Sequence, residues 1–377
     1  MINYYKSLSP FKRRYIPIFI SIAIVSLVSI ILIFTMPIIS HNMITDKDRT
    51  SKSGWPIRLA APYIDMSAWV DPANAYSING APNLEKLQQD SGFAYFNLGF
   101  IQPDSTTPLS EDGTIRWGWG GYYSLSPNGG NSSQYQGILT SLESLRKKGG
   151  DYAISIGGQL GAAPWVVTQN QTMLEKFYKD VIETYSLKRM DLDIEESNQD
   201  YGQNIINAKA IKSVQDKTNI EITLTIPIMP SGWEQKQINI INAYLDAGVD
   251  IKVINSMTMC YGTGVNEDED YGTASVRAIT NSVRQLKNIY SNHGILLSND
   301  QAYLKTGATF SIGFESNLYP TFTTSMASTI VEDAKKHKYG LVSMWSMGRD
   351  AKLIPNQAIS EPFTYTKELR KYENIYD

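Results

Sequence analysis

Short apolar stretches of strand length recur about eight times between residues 58 and 346, and segments with helical spacing separate most of them. Near-continuous apolar runs are typical of strands in a parallel sheet whose faces are covered by helices. About eight strand–helix alternations favour a closed barrel over an open, doubly wound sheet. The sequence therefore predicts an α/β fold, the (β/α)8 TIM barrel. The predicted strands are residues 58–64, 93–101, 151–158, 189–196, 220–228, 253–261, 309–314 and 341–346.

The composition is that of a large globular domain without a nucleic-acid partner. With 377 residues, the chain can hold one α/β barrel of about 250 residues with insertions. The net charge is −3 and the isoelectric point is near 5.8, whereas nucleic-acid binding requires a basic patch. No glycine-rich phosphate-binding motif follows a predicted strand. Cys260 is the single cysteine, which excludes an intramolecular disulfide.

The N-terminal region has the pattern of a membrane anchor. Residues 16–39 are uncharged and mostly aliphatic, which is long enough to cross a bilayer as a helix. Four basic residues and no acidic ones precede this segment, so residues 1–15 are predicted to be cytoplasmic and the rest of the chain to lie outside. A cleaved signal peptide is the alternative, with secretion as its consequence. Residues 40–54 are read as a linker and residues 55–377 as the barrel domain.

Residues 189–196, Arg-Met-Asp-Leu-Asp-Ile-Glu-Glu, place three acids on one face of a predicted strand. Because strand side chains alternate between faces, Asp191, Asp193 and Glu195 point one way and three apolar residues point the other way. Carboxylates about 6 to 7 Å apart repel one another unless their charge is used or a proton is shared. The stretch is an acidic strand edge, a cation site, or a row of catalytic carboxylates at the carboxyl end of a barrel strand.

Further motifs, in chain order, are similar to those of one enzyme family. Residues 191–195 resemble the acidic signature of glycoside hydrolase family 18, the chitinases and their relatives, and residues 155–158 (Ser-Ile-Gly-Gly) resemble its third-strand motif. Residues 257–262 (Met-Thr-Met-Cys-Tyr-Gly) resemble its sixth-strand motif. Residues 62–65 and 345–350 resemble the first and eighth strands of bacterial chitinases in the family. The resemblance covers about residues 58–350.

The resemblance implies a substrate-assisted reaction, in which the 2-acetamido group of the sugar is the nucleophile. Glu195 would be the acid that protonates the leaving group, which requires a raised pKa. Asp193 would hold the acetamido group and stabilise positive charge, and Asp191 would share a proton with Asp193. Tyr261 would bind the acetamido oxygen. No metal and no organic cofactor is implied.

The resemblance also suggests residues that contact the sugar. Trp345 would form the apolar floor beneath it. The other predicted substrate-binding residues are Tyr63, Met259, Gly158, Trp117 and Trp165. One departure from the family pattern is Cys260, where close relatives usually have Asp, and a thiol is a poorer acceptor and carries less charge at neutral pH.

The predicted function is hydrolysis of β-1,4 bonds at N-acetylglucosamine in chitin or chito-oligosaccharides, with retention of configuration. Two alternatives remain open at this point. One is an endo-β-N-acetylglucosaminidase acting on glycoconjugates. The other is a chitinase-like protein that binds glycans without cutting them, which Glu195 argues against and Cys260 keeps open. The predicted partners are an N-acetylglucosamine-containing glycan and, through residues 16–39, the membrane.

Overall fold

The fold is organised around a curled β-sheet whose neighbouring strands run parallel, apart from one antiparallel strand at its side. The computed structural model describes residues 50–353, 359 and 361–373, all within one compact unit. The strands of this sheet are β1 (Leu59–Ala60), β2 (Tyr63–Asp65), β5 (Tyr95–Pro103), β6 (Trp117–Trp119), β7 (Asp151–Gly157), β8 (Arg189–Asp193), β9 (Glu221–Pro227), β10 (Ile251–Met257), β11 (Thr306–Ser311) and β12 (Leu341–Trp345). Two further short strands, β3 (Ser77–Ile78) and β4 (Ala81–Pro82), form a separate hairpin.

The strand order brings the two ends of the sheet back to the same piece of chain. The order is β1-β12-β11-β10-β9-β8-β7-β5-β2, and β1 and β2 follow each other in the sequence. Leu59 of β1 is in register with Leu341 of β12, and Tyr63 of β2 is in register with Asn97 of β5. The sheet therefore curls in the manner of a (β/α)8 barrel.

Helices follow most of the parallel strands and cover the sheet. The sheet strands β7 and β8 are buried along their whole length, as expected when both faces are covered. The helices are α1 (Leu84–Ser91), α2 (Ser133–Lys147), α3 (Pro164–Val167), α4 (Gln171–Tyr185), α5 (Tyr201–Thr218), α6 (Gln235–Asp246), α7 (Tyr271–Asn292), α8 (Asn299–Leu304), α9 (Thr324–His337), α10 (Met347–Asp350) and α11 (Thr364–Arg370).

The structure confirms the predicted alternation, and the differences lie at the ends of the elements. Helix α2 begins at Ser133 and α7 at Tyr271, four or five residues before the apolar spacing becomes visible at Ile138 and Ser275. Side chains of Ser132 and Asp270 accept hydrogen bonds from backbone N–H groups of the first turns. The capping side chains mark these helix starts, and the first turns already bury Tyr135 of α2 and Tyr271 of α7.

The segment 102–136, predicted as one long loop, contains structure of its own. Strand β6 pairs antiparallel with β5, with Ile101 opposite Trp119. A 3₁₀ helix, Tyr123–Leu125, follows. Strand β6 is only three residues long, which is too short to produce a visible alternation of side chains within a glycine-rich segment.

The first described residues cover the amino end of the sheet. Trp55 is 1% exposed, donates its indole N–H to Asp151 Oδ2 at 3.0 Å and lies 4.6 Å from the guanidinium of Arg189. Ser53 Oγ donates to Glu221 Oε2 at 2.9 Å, and Glu221 also accepts from Arg189 at 2.7 Å. Asp151, Arg189 and Glu221 are each the first residue of a strand. The chain thus enters the domain at the amino ends of the strands.

The predicted cytoplasmic segment 1–15, the anchor 16–39 and residues 40–49 of the predicted linker 40–54 lie outside the described residues. Residues 50–54 are described, and Ser53 of this part binds Glu221 of the barrel domain. Within residues 50–353 and 361–373, no helix is both long and apolar enough to span a bilayer.

Candidate active site

The three acids of residues 189–196 lie where β8 reaches the carboxyl edge of the sheet. Asp191 and Asp193 are on the strand, and Glu195 follows its end with an extended backbone (φ −135°, ψ 170°). The alternation of side chains therefore continues through Glu195. In α/β barrels, functional side chains lie at this edge, on the ends of strands and on the loops that follow them.

Asp191 is the deepest of the three acids and is held by hydrogen bonds from three other strands. Its Oδ2 accepts from Tyr63 OH at 2.8 Å and Ser155 Oγ at 2.7 Å, and its Oδ1 accepts from Thr225 Oγ1 at 2.7 Å. Burial raises the pKa of Asp191, while these three hydrogen bonds lower it. Three donors and no acceptor around the carboxyl favour its ionised form.

Asp193 is in the opposite situation, because its Oδ1 is buried and accepts no hydrogen bond from any described residue. Burial, followed by the charges of Glu195 and Asp191, raises the pKa of Asp193 well above its usual range. The protonated form of Asp193 is therefore favoured, next to an Asp191 that accepts three hydrogen bonds. A buried polar atom without a partner costs stability, and such atoms in enzymes commonly await a ligand.

Glu195 is the outermost acid and is partly exposed. Burial, followed by the charge of Glu196, raises the pKa of Glu195 to about 7. A carboxyl with this pKa is protonated over a wide range below neutrality and still readily gives up its proton, which suits a general acid.

Two glycines of the third-strand motif allow β7 to approach β8 closely. A Cβ on Gly157 would lie 2.1 Å from the carbonyl oxygen of Asp193, and one on Gly158 would lie 3.2 Å from the ring of Phe100. Both glycines have positive φ values, +115° and +94°. Gly158 N–H donates to Asp193 O at 3.1 Å, so this predicted sugar contact positions the backbone of the acidic strand.

Tyr261 is not brought to the carboxylate row. Its hydroxyl is hydrogen-bonded with Ser275 Oγ of α7 at 2.9 Å, and its ring is buried against Tyr271. The charged groups that act on the pKa of Tyr261 are Glu269 and Arg277, none of them in the row. This geometry does not support the predicted contact of Tyr261 with an acetamido group.

Cys260 and Met259, immediately before Tyr261, are partly exposed. Burial raises the pKa of the Cys260 thiol to about 11; the charges of Glu315 and Glu195 add to this rise, and that of Arg349 opposes it. Cys260 therefore shares an environment with the candidate acid, and its thiol is neutral at physiological pH. Of the three consecutive residues, the structure brings Cys260 toward Glu195 and directs Tyr261 into the helix layer.

The predicted floor residue, Trp345, is partly exposed at the end of β12. Its ring centroid lies 5.5 Å from that of Phe100 and 6.2 Å from that of Tyr63. Tyr63 itself is 2% exposed, and its hydroxyl is committed to Asp191. Trp345 is thus placed next to the row, whereas Tyr63 supports the row from below and presents no surface to a sugar.

Trp117 and Trp165, two predicted sugar contacts, belong to the core. Trp117 is 5% exposed and packs against Phe177. Trp165 is 0% exposed and donates its indole N–H to Asn198 O at 2.8 Å. The prediction that these two residues line sugar subsites is wrong, because large apolar rings serve equally well to pack a loop onto a sheet.

Other exposed side chains, which the sequence analysis did not assign, surround the carboxyl edge. Among the described residues, eight large apolar side chains are exposed; five lie in segments leading from a sheet strand to the next helix, and a sixth is the first residue of α5. The five are Trp69, Tyr122, Leu160, Phe314 and Leu318, and the sixth is Tyr201. In the sequence, Trp69 follows the first-strand motif by four residues, and this short distance could have predicted that Trp69 lies near the site.

Within the described part of the chain, no group of three or more His, Cys, Asp or Glu residues is arranged to hold a metal ion. The acids of the row have different environments, since one accepts three hydrogen bonds and another has an unpartnered oxygen. These different environments separate the pKa values of the three carboxyl groups. Such a separation is typical of a site in which one carboxyl acts as an acid and its neighbours stabilise charge. The fold and the site together define a class of α/β proteins in which a curled parallel sheet carries a row of carboxyl groups at its carboxyl edge.

Two curated chitinases are similar to the chain in sequence. A probable bifunctional chitinase/lysozyme of Escherichia coli (strain K12) is 29% identical over 314 residues, 80% of this chain and 32% of the relative. Endochitinase 11 of Metarhizium anisopliae is 28% identical over 313 residues, 80% of this chain and 54% of the relative. The chain therefore spans about a third and about half of the lengths of these relatives. No protein-family model matches the sequence.

Solved chitinase structures have the same fold. The catalytic domain of a hyperthermophilic chitinase from Pyrococcus furiosus superposes with a TM-score of 0.69 at 24% identity, covering 85% of this chain and 96% of that chain. A family 18 chitinase from Chromobacterium violaceum superposes with a TM-score of 0.51 at 15% identity, covering 85% and 84%. The two curated relatives are chitinases, and the solved neighbours show that this chain has the fold of chitinase catalytic domains.

Proposed function

We propose that this protein is a glycoside hydrolase that cleaves β-1,4 bonds at N-acetylglucosamine units of chitin or chito-oligosaccharides. The observation that supports this most is the difference in environment among the three acids of one strand. Asp191 accepts hydrogen bonds from three hydroxyl groups, the buried Oδ1 of Asp193 has no partner among the described residues, and burial raises the pKa of Glu195 at the outer end to about 7. Similarity to curated chitinases supports the same substrate class.

In the proposed first step, Glu195 donates its proton to the glycosidic oxygen as the bond to the anomeric carbon breaks. The carbonyl oxygen of the substrate's acetamido group forms a bond to that carbon, giving an oxazolinium ion. Asp193, whose Oδ1 lacks a partner, accepts the acetamido N–H, and the negative charge of the Asp191–Asp193 pair stabilises the cation. Glu195, now ionised, takes a proton from a water molecule that attacks the anomeric carbon of the oxazolinium ion. Two successive displacements at this carbon retain the configuration of the sugar.

Trp345 and the exposed aromatic side chains are proposed to bind the sugar rings. Trp345 lies next to the row, and Trp69 and Tyr122 are each 56% exposed on segments at the same edge of the sheet. Aromatic faces provide large apolar contact areas to a ligand at little entropic cost. These residues replace Trp117 and Trp165 in the proposed binding surface.

We further propose that the sheet, whose ends meet at β1 and β2, is a closed (β/α)8 barrel. Residues 16–39 are proposed to anchor the chain in the cell membrane, with the barrel outside the cytoplasm. If that segment is cleaved, the barrel is secreted.

The test is hydrolysis of fluorogenic chitobioside and chitotrioside by the full chain and by Glu195→Gln. We expect release by the wild type and a loss of at least about 100-fold in kcat for the variant, because a positioned acid contributes at least that much. Glu196→Gln is the matched control, since it changes an exposed neighbour and is expected to remain active below neutral pH. No release by the wild type, together with retained binding to chitin beads, would instead support a glycan-binding protein.

A further inference from the structure

A buried amide, Asn255, connects the hydroxyl groups that hold Asp191. Asn255 lies on β10 and is 0% exposed. Its Nδ2 donates to Thr225 Oγ1 at 3.0 Å and to Tyr63 OH at 3.3 Å. Gly307 on the neighbouring strand leaves room for this side chain, because a Cβ there would lie 2.9 Å from Asn255 Oδ1.

The orientation of the amide is fixed from its other side. Asn255 Oδ1 accepts a hydrogen bond from Thr309 Oγ1 at 2.9 Å, which leaves Nδ2 directed at the two hydroxyls. An amide nitrogen is a donor only, so both hydroxyl oxygens act as acceptors toward it. The protons of the two hydroxyl groups are then free to point at Asp191. Tyr63 OH donates to Asp191 Oδ2 at 2.8 Å, and Thr225 Oγ1 donates to Asp191 Oδ1 at 2.7 Å.

Without the amide, the two hydroxyls have another choice. Tyr63 OH and Thr225 Oγ1 lie 3.0 Å apart, and either can donate to the other. That arrangement would take one donor away from Asp191, leaving Ser155 and a single further hydroxyl. Asn255 makes it unfavourable, since each hydroxyl already accepts a hydrogen bond from Nδ2.

We propose that Asn255 is a positioning residue of the hydrolytic site, an inference that rests on the proposed function. It directs two hydroxyl protons onto Asp191, so that the single proton shared by the Asp191–Asp193 pair resides on Asp193. Asn255 acts through Tyr63 and Thr225 and has no contact with the sugar.

The prediction concerns the acidic side of the pH–rate profile. The titratable and charged groups that face the pair are Tyr63 from β2 and Glu195 from the end of β8. Glu196 acts on Glu195, and Glu195 in turn acts on Cys260, as do Glu315 and Arg349. In the working form the pair holds one proton and Glu195 another. On acidification, Asp191 takes up a proton and the pair loses its negative charge, so Asp191 sets the acidic limb.

The experiment compares pH profiles of kcat/KM for the wild type and Asn255→Leu. Loss of a directed donor raises the pKa of Asp191, so the acidic limb is expected to move to higher pH by about one unit. The alkaline limb, set by Glu195, is expected to stay in place. Asn207→Leu is the matched control, because Asn207 is also fully buried and bonded to two tyrosine hydroxyls, but lies on α5 away from the row. It should leave both limbs unmoved.

Two outcomes would overturn the proposal: an acidic limb that does not move, or one that moves to lower pH. The second would mean that the amide is turned the other way and draws the hydroxyl protons from Asp191. If Asn255→Leu does not fold, Asn255→Ser, which is too short to reach both hydroxyls, is expected to shift the limb in the same direction.

A readout that does not depend on activity separates this inference from the proposed function. The ¹³C carboxyl signal of Asp191, assigned with Asp191→Asn, gives its titration directly in the wild type and in Asn255→Leu. A raised midpoint in the variant would support the role of Asn255 even if no chito-oligosaccharide were cleaved. An unchanged midpoint would refute it even in an active enzyme.

Discussion

The charge of Glu195 reaches Cys260 at the carboxyl edge of the sheet, where it adds to the effect of burial and of Glu315 on the pKa of the thiol. With a thiol pKa raised to about 11, Cys260 is uncharged at neutral pH. Glu195 therefore has a pKa of about 7 without help from a charge at position 260, through burial and Glu196. The substitution of the family's usual Asp by Cys is thus expected to change the working pH range of the site, and not to remove its acid.

Cys260→Asp is predicted to shift the alkaline limb of kcat/KM to higher pH. A carboxylate at this position opposes ionisation of Glu195, so the acid keeps its proton to a pH roughly one unit higher. Cys260→Ser is the matched control, since its hydroxyl adds no charge and should leave the limb near pH 7. Coinciding alkaline limbs for the Asp and Ser variants would show that position 260 does not act on Glu195.

At the residue scale, the alternation of a strand predicted the acidic row correctly but failed at Tyr261. Strand β10 ends at Met257, and Cys260 has a positive φ of +52°. The alternation of side chains therefore stops before Tyr261, whereas the backbone of Glu195 stays extended beyond the end of β8. A left-handed residue at a non-glycine position leaves no mark in the apolar pattern, so the sequence alone could not show which of the two side chains faces the row.

At the element scale, the aromatic residues show what pattern and composition leave undecided. Trp117 and Trp165 are buried, whereas Trp69 is 56% exposed. Trp69 follows β2, Trp117 begins β6 and Trp165 is on α3, and at each of these places an aromatic ring is compatible with either packing or ligand binding. The strands themselves were predictable because a continuous apolar run has few other uses. Strand β6 was not predictable, because three residues are too few to show an alternating pattern.

Trp55→Ala and Trp69→Ala are predicted to have opposite effects. Trp55 is 1% exposed and covers the amino ends of the strands, so its loss should lower the free energy of unfolding by about 3–5 kcal/mol with little effect on KM. Trp69→Ala should cost less than about 1 kcal/mol but raise KM for chito-oligosaccharides. Denaturant unfolding and initial-rate kinetics on both variants measure this. A stable Trp55 variant, or an unchanged KM for Trp69→Ala, would contradict the assignment concerned.

At the scale of the whole molecule, the chain enters the domain at the end opposite to the carboxylate row. Ser53 and Trp55 bind the first residues of β7, β8 and β9, while Asp193 and Glu195 lie at the other end of β8. The anchor itself was inferred from the apolar run of residues 16–39 alone and remains a prediction.

The anchor predicts that the full chain sediments with membranes and that a chain without residues 1–47 does not. An uninterrupted apolar segment of 24 residues has a strong preference for the bilayer. Fractionation of cells producing each form, with detergent and with alkaline carbonate, measures this. Equal kcat/KM of the two forms on a soluble chito-oligosaccharide is expected as the control. Full chain found only in the secreted or soluble fraction would rule out an uncleaved anchor.

The most direct test of substrate-assisted hydrolysis is ¹H NMR of the anomeric protons during the first minutes of chito-oligosaccharide cleavage. The account predicts that the β-anomer of the new reducing end appears first and that Glu195→Gln releases neither anomer. Initial release of the α-anomer would contradict it, because water would then attack the anomeric carbon directly and the acetamido group would have no role as nucleophile.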